Sequence, residues 1–431
     1  MTYFDMLQAA FDEHPEVQDY RLRLAELRTI GVGIRGNRVG SVYSPFSYRQ
    51  NIMGGFLVQW RDGTLSRSTL DGNSLPIIND ILANARLAAF DDPDSAQFLG
   101  PQTYHPIASF SDDVPPLFED RSSYLLDVVA TLQDVAREHS VRSLEGGVGA
   151  GTGQVTTRTS RGMLHAQIGT RFTYSAQFDG LIGEEQELSA LATHDAIRQQ
   201  LGLAAQYLAP LRTTVAPPET GTHLVVLHPR LTHDLFNHYV WANFAGSAVE
   251  QHRSPFSLDD FTQRRQVFRS DLTFGVDPWR PFATSSATAT DEGIPSAPTT
   301  YVKDGCLQQP VLDLKYARRL GLPPNTPPGG QEGIVITARS ELDWTTLLPT
   351  LDDAILVLGV LGLHTQDRSS GSYSLATAQA LYARDGEFAG SVKAILNGNF
   401  LEHLRDDALH LVRFPGYTVP GIAIPLRITV E

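Results

Sequence analysis

Two histidines and an aspartate, His233, Asp234 and His238, lie within six consecutive positions. Histidine and carboxylate side chains are the ligands and general bases of catalytic zinc sites. Two histidines five positions apart on an α-helix point about 140° away from each other, so they can share a metal ion only on a distorted helix. The usual zinc-peptidase motif has a spacing of four and a glutamate base. The residues therefore depart from that motif in both spacing and acid.

A catalytic zinc site also needs a third protein ligand and an open position. His410 is the one candidate for this third ligand near the C-terminus, because no cysteine lies there. The residues leave two interpretations open. Either His233, His238 and His410 hold a metal ion with Asp234 as base, or the segment is an amphipathic helix that carries its histidines at the edges of a buried face.

Other stretches with possible chemistry favour structural roles. The run 146–153 is rich in glycine, but it has no G-x-G-x-x-G register and no Walker lysine, so we expect a glycine-rich β turn within a strand region, 146–174, that is rich in Gly and Thr. Asp291 and Glu292 precede a glycine, which predicts a turn or helix-end role. The single cysteine, Cys306, has no histidine near it in sequence and is expected to be a small structural residue.

Composition excludes several classes of protein. The chain has 431 residues, 42% of them apolar, and a formal net charge of −14, which suggests two or three domains and argues against nucleic-acid binding. One cysteine excludes an intramolecular disulfide. The N-terminus has no basic start for a secretory signal, and the longest apolar run, 354–363, is half the length of a membrane span of about 20 residues. We expect a cytoplasmic protein without a membrane anchor.

Periodicity predicts the main elements. Alternation at 20–24 indicates a half-buried strand, helical spacing at 125–135 and 231–249 indicates helices, and 354–363 indicates a buried strand. A further helix is expected over 184–208. The predicted class is α+β, with a mixed α/β N-terminal region followed by a β-rich, barrel-like C-terminal domain. The predicted domains are 1–110 (N-terminal α/β), 111–216 (middle α/β) and 217–431 (β-rich).

Several short stretches, taken in order, resemble one known family. They are 222–227 (THLVVL), 235–238 (LFNH), 291–295 (DEGIP), 301–305 (YVKDG), 316–321 (YARRLG) and 398–401 (GNFL). On these residues the chain resembles the TldD/PmbA family, whose members are also known as modulators of DNA gyrase. The loop 323–328 is richer in proline than the family pattern, which suggests a specialised paralog.

The resemblance implies a function. TldD-like members carry His-Glu-x-x-x-His and a C-terminal cysteine that together bind a catalytic zinc, whereas PmbA-like (TldE) members lack them and pair with a TldD-like subunit. Because the chain has Asp234 for glutamate and no late cysteine, the resemblance places it on the PmbA-like arm. It then implies a subunit without its own cofactor, in a heterodimer with a zinc-bearing TldD-like partner or in a homodimer, that degrades or matures extended peptides, including leader removal.

Two alternatives from other classes remain. One is a self-sufficient metallopeptidase that uses the His-Asp-x-x-x-His string. The other is a non-enzymatic regulatory protein of the gyrase-modulator type. In the preferred interpretation, the strand-rich C-terminal half recognises the main chain of unfolded peptides at a sheet edge, since backbone hydrogen bonds are available from almost any sequence.

Overall fold

A computed structural model describes residues 2–40, 44–119 and 123–430. The strands of these residues are β1 (Val17–Arg35), β2 (Arg38–Val39), β3 (Ser47–Trp60), β4 (Leu65–Asp71), β5 (Leu144–Thr159), β6 (Leu164–Phe178), β7 (Ile182–Leu188), β8 (Gly221–Leu227), β9 (Thr273–Val276), β10 (Thr299–Lys303), β11 (Cys306–Leu307), β12 (Ile334–Thr337), β13 (Glu341–Asp343), β14 (Ala354–Leu361), β15 (Ser372–Arg384), β16 (Glu387–Ser391), β17 (Ile395–Asn399), β18 (His410–Arg413) and β19 (Gly421–Thr429).

The α-helices are α1 (Tyr3–Glu13), α2 (Ile78–Leu87), α3 (Ser123–Glu138), α4 (His194–Ala205), α5 (Leu208–Leu211), α6 (Pro229–Leu235), α7 (Ala242–Phe244), α8 (Gly246–Glu250), α9 (Leu258–Thr262), α10 (Leu314–Leu320), α11 (Trp344–Leu347) and α12 (Phe400–His403). A π-helical segment, Phe236–Trp241, joins α6 to α7. Short 3-10 helices occur at Leu75–Ile77, Pro115–Phe118, Gln331–Gly333, Leu348–Thr350 and Leu363–Thr365.

The N-terminal half is built on one antiparallel sheet in the order β4-β3-β1-β5-β6-β7, with β2 paired to β1. In β1 the side chains of Tyr20, Leu22 and Leu24 are buried on one face, as the alternation predicts. Helices α1 and α2 cover one end of that face, and α3 and α4 cover the other, which gives two separate cores. The sheet runs through both predicted N-terminal domains, 1–110 and 111–216, whose boundary stays a prediction.

The glycine run 146–153 does not form the expected turn. It lies inside β5, a 16-residue strand that pairs with both β1 and β6, so the strand region expected over 146–174 is present but the turn within 146–153 is not. The physical reason is close approach: a Cβ atom added to Gly146, whose φ is +139°, would lie 2.1 Å from the Ser175 carbonyl oxygen. Glycine is therefore required here by the neighbouring strand and by the backbone conformation, not by a turn.

The helix predicted over 184–208 is wrong for residues 184–193. Residues Ile182–Leu188 form β7, and the helix α4 begins only at His194, where Thr193 caps it. The glutamates of this segment favour a helix by intrinsic propensity. Pairing with β6 and burial of the Glu184 side chain override that preference.

The C-terminal half contains a closed barrel, which confirms the predicted fold class. The barrel has five strands, and each pairs with the next in the order β8, β14, β15, β17 and β19. Because β19 also pairs with β8, the sheet closes on itself. The apolar run predicted as a buried strand is β14, and it pairs in parallel with β8. A second sheet in the order β11-β10-β9-β12 packs against the barrel core. No helix in the described ranges is long and apolar enough to cross a membrane.

Candidate functional site

The predicted histidine helix is distorted between its two histidines. Helix α6 begins at Pro229, capped by the His228 side chain, and changes to π-helical hydrogen bonding at Phe236. Leu235 and Phe236 are buried, as the amphipathic interpretation predicts for the inward face, but His238 is buried as well and does not lie at an exposed edge. Segments of π-helix are rare and often occur at functional sites.

The structure gives the two histidines different surroundings. The amide of Asn237 contacts the His233 ring at 3.1 Å, and the exposed carboxylate of Asp234 lies 3.6 Å from the His233 Nδ1. His238 is buried, and its Nε2 lies 3.2 Å from the Gln366 carbonyl oxygen. Burial lowers the pKa of His238, partly offset by that hydrogen bond.

The donors do not form a zinc site. His410 is an exposed residue of β18, where it pairs with Ala423. In residues 2–40, 44–119 and 123–430, no three His, Cys, Asp or Glu side chains are placed to hold a metal ion, so His233, His238 and His410 are not brought together as ligands. A catalytic zinc needs three protein ligands, and these three residues do not supply them.

A different site lies where the C-terminal loops meet the N-terminal sheet. A cavity of about 560 Å³ opens between the turn region 284–296 and the proline-rich loop 323–330. Its apolar lining consists mainly of Val276, Ile294, Val311, Leu312, Pro327 and Pro328. A cavity of this size is within the range of ligand-binding pockets, about 300–1,000 Å³.

Two further cavities adjoin the first. The second, about 470 Å³, is lined by charged residues that include Arg21 and Arg67, and the third, about 380 Å³, runs along strands β1, β5 and β6. Asp291 lines all three cavities. We call these three adjoining cavities together the long groove.

Ion pairs hold the two walls of the long groove together. Arg21 contacts Glu292 at 3.0 Å, and Arg23 contacts Asp291 at 2.7 Å. The second oxygen of Glu292 accepts a hydrogen bond of 2.7 Å from the Leu314 backbone N–H, at the start of α10. Asp291 and Glu292 thus lie in a turn, as expected, but they also join that turn to β1 and α10.

A buried polar network fixes the barrel against the N-terminal sheet. Glu184 of β7 is 2% exposed; its carboxylate forms an ion pair with the Arg230 guanidinium at 2.8 Å and accepts a hydrogen bond from the Tyr417 hydroxyl at 2.6 Å. The Arg230 guanidinium also donates to the Gly183 carbonyl oxygen. His228, two residues before Arg230, is buried against Tyr417 and Phe414.

Burial, with a smaller contribution from Arg230, lowers the pKa of His228 to about 3. The unfolded chain takes up this proton near pH 6.5, so the stability contributed by neutral His228 is complete above that pH and is lost as pH falls toward 3. We expect wild-type protein to lose about 2 kcal/mol more unfolding free energy than His228→Asn between about pH 7.5 and pH 5, as measured by urea unfolding at both values. The exposed-histidine control His410→Asn should follow the wild type, and equal losses in all three proteins would contradict the prediction.

The sequence does not predict the groove. Asp291 and Glu292 are expected there only as turn residues, and the proline-rich loop only as a departure from the family pattern. Arg21 and Arg23 show only as the polar half of a strand alternation, and their partners lie in the other half of the chain.

Comparisons with known proteins agree with this architecture. Residues 220–416 match the family model described as the PmbA/TldA metallopeptidase C-terminal domain. An uncharacterised protein of Methanocaldococcus jannaschii is 23% identical over 330 residues, which cover 72% of this chain and 74% of the relative.

Solved structures extend the likeness to the full length. TldE from Thermococcus kodakarensis matches with a TM-score of 0.79 and 16% identity, over 99% of both chains. A proposed modulator of DNA gyrase from Bacteroides thetaiotaomicron matches with a TM-score of 0.78, also at 16% identity and over 99% of both chains. Residues 220–416 are therefore a C-terminal domain of the PmbA/TldA type, and the chain as a whole shares the fold of TldE and of this proposed gyrase modulator.

Proposed function

We propose that the chain is a TldE-like subunit without its own zinc, which binds extended peptides for a TldD-like metallopeptidase partner. The observation that carries the proposal is the combination of a full-length TldE fold with an incomplete donor set at His233 and His238. Such a subunit contributes peptide-binding surface, while the partner supplies the zinc chemistry. The cytoplasmic location predicted from the sequence is part of the same proposal.

The long groove supports a peptide as the ligand. It consists of three cavities that share Asp291, its second and third cavities lie against strands of the N-terminal sheet, and its lining changes from apolar in the first cavity to charged in the second. An extended peptide presents side chains at regular intervals along such a path. A folded domain offers no free extended segment, so unfolded or flexible peptides are the expected substrates.

The proposal predicts the composition of the purified protein. The chain expressed alone should contain far less than one zinc per chain, and co-expression with a TldD-like protein from the same genome should give a stable complex with one zinc per pair. The physical reason is that zinc affinity falls steeply when a ligand is missing. Light scattering with elemental analysis of the same fractions measures both quantities.

Two results would reject this assignment in favour of the alternatives. One zinc per chain in the isolated protein, lost in His238→Ala, would indicate a self-sufficient metallopeptidase. An isolated protein that neither gains mass with the partner nor binds peptide would favour a regulatory binding protein, the role stated for the gyrase-modulator relative.

A further inference from the structure

The first cavity of the long groove has a fixed wall that is mainly apolar. On its proline-rich loop, the Thr326 hydroxyl accepts a hydrogen bond of 2.8 Å from the Ala297 N–H. The side-chain oxygen of Asn325 accepts one of 3.0 Å from the Leu312 N–H. Prolines restrict the backbone of the loop further. The cavity is therefore preorganised for a ligand with apolar surface, which lowers the entropic cost of binding.

The charged residues in the lining of the first cavity are all acidic. Of the described residues, Asp291, Glu292 and Asp313 line it, and no lysine, arginine or histidine does. Two of these acids are compensated by arginines that line the second cavity, because Glu292 pairs with Arg21 and Asp291 pairs with Arg23. The negative charge that remains in the first cavity is that of Asp313.

Asp313 has no counter-charge in the described ranges. One oxygen of its carboxylate accepts a hydrogen bond of 2.8 Å from the Tyr316 N–H, as the cap of α10, and the carboxylate makes no ion pair there. The nearest base in the sequence, Lys315, pairs with Asp92 at 2.7 Å instead. Asp313 is exposed and lines both the first and the second cavity, so a charged ligand group that meets it remains hydrated.

We propose that the first cavity is a subsite for a long basic side chain, lysine or arginine, of the bound peptide. These side chains join an aliphatic stem to a terminal charge, and they bury the stem on apolar surface while the charge stays in water. The stem packs between the prolines and Ile294, and the charged end pairs with Asp313 where the first and second cavities meet. The inference rests on the proposed peptide-binding function and adds a side-chain preference to it.

The test uses the full-length chain and fluorescein-labelled ten-residue peptides of Gly, Ser and Thr with one central lysine, norleucine or serine. Norleucine has an aliphatic chain like the stem of lysine but carries no charge. Fluorescence anisotropy gives each Kd at low and at high NaCl concentration. At low salt we expect the lysine peptide to bind about 3–5-fold more tightly than the norleucine peptide, the effect of one exposed ion pair, and high salt should bring this ratio toward one. The norleucine peptide should bind at least about 10-fold more tightly than the serine peptide at both salt concentrations, because it buries an aliphatic chain.

One variant assigns the charge preference to Asp313. Asp313→Asn removes the charge but keeps a good cap for α10. It should abolish the preference for lysine over norleucine and leave the Kd of the norleucine peptide unchanged. The matched control Asp343→Asn removes the same charge from the exposed cap of α11, which lines none of the three cavities, and should keep the wild-type preference.

A second variant assigns the aliphatic preference to the cavity. Ala287→Phe fills the junction of the first and third cavities and should abolish the preference for norleucine over serine. The matched control Ala297→Phe adds the same ring at an exposed position outside the cavity and should bind like wild type.

The outcomes separate this inference from the proposed function. Equal Kd values for all three peptides would overturn the subsite and leave peptide binding intact. A lysine peptide that binds no better than the norleucine peptide at low salt, or a lysine preference retained in Asp313→Asn, would overturn the choice of a basic side chain. Failure of every peptide to bind would overturn both the subsite and the peptide-binding function.

Discussion

Arg230→Ala is expected to lower the free energy of unfolding by about 3–5 kcal/mol. The variant removes the guanidinium that lies 2.8 Å from the buried Glu184 carboxylate, and it leaves that carboxylate with hydrogen bonds but without a counter-charge. A buried, unpaired charge is among the most costly changes a single substitution can make. Urea unfolding at neutral pH, followed by tryptophan fluorescence, measures the loss.

Two companion variants show whether the loss comes from the buried charge. Arg137→Ala removes an exposed arginine from a surface pair with Asp134 and should cost less than about 1 kcal/mol. The double variant Glu184→Gln with Arg230→Met removes both charges and should be more stable than Arg230→Ala alone. A loss in Arg230→Ala no greater than that in Arg137→Ala would show that the network does not anchor the barrel to the sheet.

Gly146→Ala should cost about 2–4 kcal/mol, from backbone strain and overpacking together. Gly146 has a φ of +139°, and the added methyl group would lie 2.1 Å from the Ser175 carbonyl oxygen, so neither strand can accommodate it without moving. Thermal and urea unfolding measure the effect.

Gly33→Ala is the matched control, because Gly33 lies on the neighbouring strand β1, opposite Gly147. The nearest atom to its added methyl group would be the Gly146 carbonyl oxygen, at 3.9 Å. This variant should be neutral or more stable by up to about 1 kcal/mol, since alanine restricts the unfolded chain. Similar losses in the two variants would show that glycine is not required by the packing of β5.

The glycine run of β5 also shows where local sequence patterns are insufficient to predict the fold. A periodic pattern of apolar residues arises when one face of a single helix or strand packs against a core. Such patterns correctly predict α3 and the barrel strand β14. The run 146–153 has no periodicity of side chains, so its role depends on which strands lie beside it. That information comes from β1 and β6, and a local pattern of glycines cannot distinguish a paired strand from a turn.

The same limit applies to the site. The sequence shows the His233–His238 string because its residues are close together in the chain, yet His410 lies on a separate strand with its side chain exposed. The long groove cannot be predicted from local patterns, because Arg21 and Glu292 are far apart in the chain and come into contact only in the folded structure. Family resemblance predicted the fold class and the TldE-like assignment, but it did not indicate the groove.

The most direct test of the proposed function is cleavage of unfolded peptide by reconstituted components. The chain, its TldD-like partner and their equimolar mixture are incubated with a mixture of unstructured peptides, and the products are measured by mass spectrometry. The proposal predicts cleavage by the mixture, none by the chain alone, and undiminished cleavage when the chain carries His233→Ala. Cleavage by the chain alone that is lost in His233→Ala would contradict it.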